Sequence, residues 1–299
     1  MAAIAGSEHR RGVALVAAGA VMWSTAGVFM RMLGLDVWTI LAWRAFFGAL
    51  FLFAWLVIEH RRNTWRVIRS LSLAGVLAIP AATAIMISYV TALKLTTVAD
   101  VLIVNAVLPF VAAGIAWVWI GERAERRTLV AAGVALAGVV IIVGDSALSG
   151  RLLGDLLAFV TTLIFAAVMV LVRRQPQLSV ATINGFGALL CAAICFQFAP
   201  GETVGIRDMA VIAAFGFTSL AFALLLFLAG ARLIPSGEAG LISLLETVLG
   251  PLWVWIAFAE TPTPAVIVGG IVVLAAVAWH LIGDWWRESK ITDPSALRG

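Results

Sequence analysis

The sequence predicts an all-α membrane protein of ten transmembrane helices, arranged as two inverted-topology five-helix repeats around a central cavity. Three observations lead to this prediction: the composition, the spacing of the charges and an internal repeat. Of the 299 residues, 63% are hydrophobic and only 12% are charged, whereas an average soluble domain carries about 25% charged residues. A water-soluble core cannot absorb so much apolar surface, so the composition excludes an ordinary soluble protein.

The apolar residues form long uncharged runs separated by short charged segments, which is the pattern of a chain that crosses a bilayer repeatedly. Each run has about 17 to 25 residues, enough to cross a hydrocarbon core of about 30 Å. The predicted spans are residues 12–31, 37–58, 70–93, 98–121, 128–144, 154–172, 178–200, 209–231, 236–259 and 263–283. Basic residues before the first run resemble the start of a secretory signal. We expect this run to be retained as the first helix, because it is long enough to span and has a counterpart later in the chain.

An internal repeat becomes visible when each residue i is compared with residue i+138. This offset pairs Lys94 with Arg232, Asp100 with Glu238, Asn105 with Ser243, Trp117 with Trp255 and Glu122 with Glu260. A similar comparison with small offsets places residues 12–31 over residues 154–173. Because five spans per repeat is an odd number, the second repeat enters the membrane from the opposite side. We predict repeats at residues 1–148 and 149–299, divided in the longest predicted connection, Asp145 to Gly154.

Lys and Arg are distributed unevenly between the two sides of the predicted membrane. The segments on the side of the N-terminus hold fifteen of them, and the opposite segments hold four: Arg31, Lys94, Arg151 and Arg207. The positive-inside rule therefore predicts a multi-pass protein of the bacterial inner membrane with both termini in the cytoplasm. The formal net charge of +4 belongs to these loops and does not indicate a nucleic-acid partner.

An enzyme is not predicted, because an intramembrane reaction needs a nucleophile and a base at membrane depth. His280 is the only histidine in a predicted span, and the sequence has no Gly-x-Ser-x-Gly or His-Glu-x-x-His motif. Cys191 and Cys195 share one apolar run, where we expect them to face lipid or to pack. We predict no cofactor, no metal ion and no obligatory protein partner; the expected partners are the lipid bilayer and a small-molecule substrate.

Charged and polar side chains inside the spans are the first candidates for a substrate site, because an unpaired polar group in hydrocarbon costs several kcal/mol. Arg44 is the only basic residue well inside a predicted span, and Glu246 is the only acidic one. Each has a functional interpretation, as a contact to a charged substrate group, and a structural one, which includes a pair between the two. Asn105 and Ser243 occupy equivalent repeat positions near the midplane, where either substrate contact or helix packing is open to them.

Aromatic residues form the second group of candidates. Trp23 lies near the centre of the first span and Tyr89 lies in the third. Both have rings that stack on an aromatic substrate or close over a cation, and packing is the alternative for each. Trp253 is interpreted as part of the interfacial aromatic belt.

Prolines and span-end carboxylates are interpreted as gating or structural residues. Pro80 and Pro109 lie inside the third and fourth predicted spans, where proline can kink or hinge a helix. Asp100 is explained as a helix-start residue. Glu122 and Glu260 end the fourth and ninth spans, where the helix dipole disfavours a carboxylate. We expect them to have local arginine partners or to latch a gate.

These residues resemble the EamA family of the drug/metabolite transporter superfamily. The resemblance covers nearly the whole chain and is carried by Trp23-Ser24-Thr25, Arg44, Ala92-Leu93-Lys94, Pro109, Gly121-Glu122-Arg123, Leu245-Glu246 and Glu260. It implies ten helices in two inverted units, with helices one, three, four, six, eight and nine enclosing a central cavity. It also implies that Trp23, Tyr89, Asn105, Ser243 and Glu246 lie nearest that cavity.

Within the family the chain is similar to bacterial exporters of neutral and aromatic amino acids. The resemblance therefore implies export of such amino acids or related metabolites by alternating access. A drug or organic-cation exporter of the same fold is the alternative, and a membrane sensor or scaffold without transport is a more distant one.

Overall fold

The computed structural model describes the backbone of residues 2–69, 71–121, 126–175, 178–234 and 236–291, and these residues are helical with no strand. Eight of the helical segments in this part of the chain are long and apolar enough to cross a membrane. Two further apolar helices, Ile242–Phe258 and Pro264–His280, are shorter within the residues searched. The chain is therefore a multi-pass helical bundle, and the count of ten spans stays a prediction.

The helices of the first half of the bundle follow the predicted spans, but the first helix begins ten residues before its predicted span. They are α1 (Ala2–Ser24), α2 (Ala26–Met32), α3 (Val37–His60), α4 (Thr64–Arg69), α5 (Leu73–Leu95), α6 (Val98–Asn105), α7 (Leu108–Ile120) and α8 (Arg126–Leu148). The short helix α4 follows a 3-10 turn after α3. Side-chain caps begin α3, α5 and α6, as Asp36 does for α3 by accepting a hydrogen bond from the Trp38 amide.

The second half continues the same pattern. Its helices are α9 (Leu152–Arg174), α10 (Val180–Phe198), α11 (Ile206–Phe215), α12 (Ala223–Ala231), α13 (Ser236–Phe258) and α14 (Pro264–Ile291). A π-helical segment, Gly216–Phe222, joins α11 to α12. Because π-helical turns are rare and concentrate at functional sites, this segment marks the eighth predicted span as irregular at its centre.

Two other predicted spans are broken near their middle. The first is divided between α1 and α2, where the hydroxyls of Ser24 and Thr25 donate hydrogen bonds to the carbonyls of Val21 and Met22 at 2.7 and 2.6 Å. Such bonds compete with the helical ladder and bend the helix. The fourth is divided between α6 and α7, where residues 106 and 107 form a turn.

The break in the fourth span corrects the prediction for Pro109. This residue lies in the first turn of α7 and not inside a continuous helix. Proline fits that position because its missing N–H has no partner in the first turn of a helix. Pro80, in contrast, lies inside α5 as predicted.

The connection between the two halves is shorter than predicted. Helix α8 extends to Leu148 and α9 begins at Leu152, so only three residues separate them. Gly150 has a φ of +75°, a conformation that glycine adopts without strain. The predicted ten-residue linker, Asp145 to Gly154, is therefore mostly helical.

Close packing through glycine holds several helices together. A Cβ on Gly138 of α8 would lie 2.7 Å from the Gly269 carbonyl oxygen of α14, and a Cβ on Gly269 would lie 2.6 Å from the Gly138 oxygen. Small residues allow such backbone contact between membrane helices. Cys191 and Cys195 are both fully buried in α10, so packing is the correct one of their two interpretations.

Candidate functional site

Arg44 is buried and held by the irregular eighth span. Its Nη2 donates to the Ser219 hydroxyl at 3.1 Å, and its guanidinium lies 4.4 Å from the centre of the Phe215 ring. The close approach of α3 to the π-helical segment depends on Gly216, where a Cβ would lie only 2.6 Å from the Arg44 carbonyl oxygen. The Nε atom of Arg44 has no hydrogen-bond partner among the described residues. The charge is thus anchored by a hydroxyl and a ring, and no carboxylate neutralises it there.

Tyr89 has both Arg44 and Glu246 in its surroundings. The Tyr89 side chain lies within electrostatic range of both charged groups. Glu246 is partly buried in the middle of α13, and it makes no hydrogen bond or ion pair with any residue in the described part of the chain. A direct pair with Arg44, which was one of the two sequence interpretations, is therefore wrong. Two opposite charges lie near one tyrosine without being bonded to each other.

Asn105 and Ser243 are placed differently in spite of their equivalent repeat positions. The Asn105 Oδ1 atom, at the end of α6, accepts a hydrogen bond from the Thr162 hydroxyl of α9 at 2.7 Å. The Ser243 hydroxyl donates to the Ala239 carbonyl within its own helix at 2.8 Å. Asn105 therefore ties two helices together, while Ser243 lies about one turn before Glu246 on α13.

Trp23 packs against a helix of the other half of the chain. Its ring centre lies 5.1 Å from that of Phe227 on α12. The neighbouring Ser24 accepts a hydrogen bond from the indole Nε1 of Trp253 at 3.0 Å, which joins α1 to α13. Trp253 is thus bonded inside the bundle and partly buried, which corrects its interpretation as part of the interfacial belt. The sequence signal for this contact was the polar pair Ser24-Thr25 in an apolar run.

Arg44, Tyr89 and Glu246 all lie inside the predicted membrane region, at two depths. We call the end of the bundle at which α2, α5, α8 and α13 finish the Arg31 end. At a rise of about 1.5 Å per residue, Arg44 is about 10 Å from the Arg31 end along α3, and Tyr89 is about 9 Å from it along α5. Glu246 is about 18 Å from it along α13. All three depths fall within a hydrocarbon core of about 30 Å.

The Arg31 end itself is closed by an ion pair between the two halves of the chain. Arg31 donates from Nε to Oε2 of Glu260 at 2.5 Å and from Nη2 to Oε1 at 3.2 Å. The same guanidinium donates to the carbonyls of Leu93 at 2.7 Å and Thr96 at 3.0 Å, and Glu260 also accepts from the Val98 amide at 3.3 Å. The partner of Glu260 is therefore an arginine 229 residues away, and not the local one that we expected.

A second group of charges adjoins this ion pair, and we name it the Thr96 network. It comprises Thr96, Asp100, Asp145, Arg151 and Asp155. Asp100 and Asp155 are completely buried. Arg151 donates to Asp100 Oδ2 at 3.0 Å and to Asp145 Oδ2 at 2.9 Å. Asp100 also forms a capping box with Thr97 at the start of α6, in agreement with its predicted position.

The other predicted gating residues add little to either group. Glu122 lies outside the described residues, and Pro80 is part of α5. A shallow pocket lined by Thr97, Pro251 and Glu260 adjoins the ion pair. Sequence reasoning overlooked Arg31, Thr96 and Asp155, because most of their partners are distant in sequence. The one signal was the alignment of residues 12–31 with residues 154–173, since these segments contain Arg31 and Asp155.

Comparisons with known proteins agree with a membrane transporter. The model of the EamA-like transporter family matches residues 10–144 and again residues 152–282. An uncharacterized transporter of Archaeoglobus fulgidus is 28% identical over 282 residues, which is 93% of this chain and 97% of that protein. A solved crystal structure with 20% sequence identity superposes with a TM-score of 0.66, covering 92% of this chain and 96% of the other, and supports the fold alone. The chain belongs to the EamA-like transporter family.

Proposed function

We propose that this transporter exports neutral or aromatic amino acids, or related metabolites, across the bacterial inner membrane by alternating access. The observation that carries the proposal is the separation of Arg44 from Glu246 beside Tyr89. An amino acid carries a carboxylate and an ammonium group on adjacent atoms. A site with one fixed guanidinium and one unpaired carboxylate offers a complement to each charge.

The cost of burying these charges supports a functional role. An ionised group in the bilayer interior is expensive and faces the bundle or a water-filled path. Evolutionary pressure on stability alone would favour a direct ion pair or apolar replacements. Glu246 has neither a partner among the described residues nor a repeat mate that is charged, since Leu108 occupies the equivalent position. An amine that binds Glu246 would supply the missing counter-charge.

Aromatic side chains favour a ring-bearing substrate. Tyr89 lies at about the depth of Arg44, and the Trp23 ring already packs against Phe227 in a tilted geometry. Offset and tilted ring pairs are favourable by about 0.5–1.5 kcal/mol beyond area burial. A substrate ring that joins Trp23 would gain a contact of the same kind.

Alternating access rests on the pairing of the two halves. The family model matches each half separately, and the Arg31–Glu260 ion pair connects α2 of one half with the end of α13 in the other. Inverted repeats let one half rock against the other around a midplane site. We propose repeats at residues 1–148 and 149–299, ten spans and cytoplasmic termini, so that the Arg31 end faces the periplasm. Opening this end would require the ion pair to break.

An organic-cation exporter is the second candidate, favoured by the unpaired carboxylate of Glu246 next to aromatic rings. The two candidates differ in their need for Arg44. A cation has no carboxylate, so its transport does not need the guanidinium.

Counterflow in proteoliposomes distinguishes the two candidates. Radiolabelled phenylalanine, tryptophan, threonine and a quaternary ammonium dye are tested with wild type, Arg44→Gln, Glu246→Gln and the surface control Glu59→Gln. We expect saturable amino-acid flux in wild type and Glu59→Gln, and at least a tenfold rise in half-saturation in the two site variants, as about 1.4 kcal/mol of lost contact requires. Dye flux that survives Arg44→Gln but not Glu246→Gln would establish the cation exporter. Absence of all flux in wild type would refute both.

A further inference from the structure

One hydroxyl group in the Thr96 network contacts two carboxyl groups. The Thr96 Oγ1 atom lies 2.8 Å from Asp100 Oδ2 and 2.9 Å from Asp155 Oδ1. A threonine hydroxyl has one proton to donate and two lone pairs. If both carboxyls were ionised, only one of these contacts could be a hydrogen bond, and the other would bring two lone pairs together. Two good contacts therefore require that one carboxyl carries a proton and donates it to Thr96.

The charges around the two carboxyls lead to the same requirement. Asp100 is 0% exposed and Asp155 is 1% exposed. The guanidinium of Arg151 is the cation bonded to the network, and it is shared with Asp145, which also accepts from the Thr263 hydroxyl. Arg31 is already paired with Glu260, and Lys94 is exposed and donates to the Leu35 carbonyl. Three carboxyls and one guanidinium would leave an excess of two negative charges in a buried place.

Each of the two carboxyls also has one oxygen atom without a partner. Asp100 Oδ1 and Asp155 Oδ2 are both buried and have no hydrogen-bond partner among the described residues. The hydroxyl of Ser146 lies beside Asp155 without a well-formed hydrogen bond. Helix capping accounts for one oxygen of Asp100, and Asp155 lies in the first turn of α9, but neither position supplies a hydrogen-bond partner for the two unbonded oxygens.

We propose that Asp155 holds a proton that it donates to the Thr96 hydroxyl, which in turn donates to Asp100, and that this proton stabilises the closed Arg31 end. The link to closure is Thr96 itself, since its carbonyl accepts a hydrogen bond from Arg31 at 3.0 Å. Release of the proton to water breaks one O–H bond and leaves two carboxylates facing one hydroxyl donor. Their repulsion separates α6 from α9 and moves the Thr96 carbonyl away from Arg31.

The sign of the pH effect follows from this arrangement. The closed state binds the proton more tightly than the open state, so raising the pH favours opening. For one proton, the ratio of closed to open molecules changes by up to about tenfold per pH unit while the proton is being released. The binding site does not depend on the substrate, but its consequence for transport rests on the proposed function.

Infrared difference spectroscopy tests the proton directly in the purified full-length protein. We expect wild type to show the carbonyl stretch of a buried neutral carboxyl, which disappears as the pH rises. Asp155→Asn should lose this band, while the control Asp145→Asn, which keeps the Thr96 contacts, should retain it. A wild-type spectrum without the band, or a band that persists in both Asp155→Asn and Asp100→Asn, would overturn the proposal.

Closure is measured separately by distances between spin labels at Gly34→Cys and Thr261→Cys on opposite sides of the Arg31–Glu260 pair. A Cβ at Gly34 meets no atom within 4 Å, and the native Cys191 and Cys195 are buried, so labelling falls on the introduced sites. We expect longer distances as the pH rises in wild type, a pH-independent closed state in Asp155→Asn, and loss of the pH response in Thr96→Val with its restoration in Thr96→Ser.

The remaining outcomes separate the proton site from the proposed function. Distances that respond to sodium at constant pH, and not to pH, would replace the proton by a metal cation and overturn the proposal. A pH-sensitive band and distance change in a protein without amino-acid or dye flux would support the proton site and refute the proposed function.

Discussion

Replacing Glu260 by glutamine should weaken the closure of the Arg31 end without changing the shape of the side chain. The carboxylate accepts two hydrogen bonds from Arg31 and one from the Val98 amide. Glutamine keeps one acceptor oxygen, so the bidentate ion pair becomes a single hydrogen bond from the Arg31 cation to a neutral group. Arg31 keeps its bonds to the carbonyls of Leu93 and Thr96, so we expect the bundle to fold normally.

The size of the effect follows from the partial exposure of the pair. The side chains of Arg31 and Glu260 are 22% and 24% exposed, so solvent screens the attraction less than at an open surface. A hydrogen bond to a charged group contributes about 1.5–3 kcal/mol and a neutral one about 0.5–1.5 kcal/mol. The free energy that favours the closed state should therefore fall by about 1–2 kcal/mol. Since about 1.4 kcal/mol corresponds to a factor of ten, the closed-to-open ratio should fall by about 5- to 30-fold.

Spin-label distances across the Arg31 end measure this shift at a pH where wild type is closed. Glu202→Gln is the matched control, because Glu202 accepts a hydrogen bond from the Asp36 amide at the same end but is exposed. We expect a larger population of long distances in Glu260→Gln and none in the control. Identical distance distributions and identical flux in Glu260→Gln and wild type would show that the ion pair does not hold the end closed.

Two further predictions concern packing and the central residues. Gly138→Ala should lower the melting temperature in detergent, because the added Cβ meets the Gly269 carbonyl and overpacking costs about 1–3 kcal/mol; Gly133→Ala on the same helix, where a Cβ meets nothing within 4 Å, should not lower it. Trp23→Ala and Asn105→Ala should both lower amino-acid flux without lowering the yield of folded protein, and unchanged flux in both would remove these residues from the site.

The spans could be predicted from the sequence because hydropathy and length are local properties. A run of apolar residues reports the cost of exposing backbone and charge to lipid, whatever it packs against. The interruptions depend on finer chemistry. Ser24 and Thr25 left a visible polar signal in the first span, and Pro109 left one in the fourth. The π-helical segment Gly216–Phe222 has no proline, and its geometry depends on close contact with Arg44 and Gly48.

The candidate site was predictable as a set of residue types but not as a set of contacts. Arg44 and Glu246 could be selected because a charge in a span is rare. Their separation could not be foreseen, since it depends on Ser219 and Phe215, which lie far away in sequence. Arg31 was interpreted as a loop charge, because the pairing with Glu260 needs the two halves to be folded together.

The distribution of satisfied and unsatisfied polar groups bears on the proposed transport cycle. A static membrane bundle gains most when every buried polar group is paired. Asn105 with Thr162 and Ser24 with Trp253 are well-paired groups that join helices, while Glu246, Arg44 Nε and two carboxyl oxygens of the Thr96 network lack a partner among the described residues. A ligand that supplies the missing partner of such a group stabilises only the conformation in which that partner is missing. Glu246 and the Thr96 network are both incomplete in the same conformation, so an amine at Glu246 and a proton in the network would both stabilise the state in which the Arg31 end is closed.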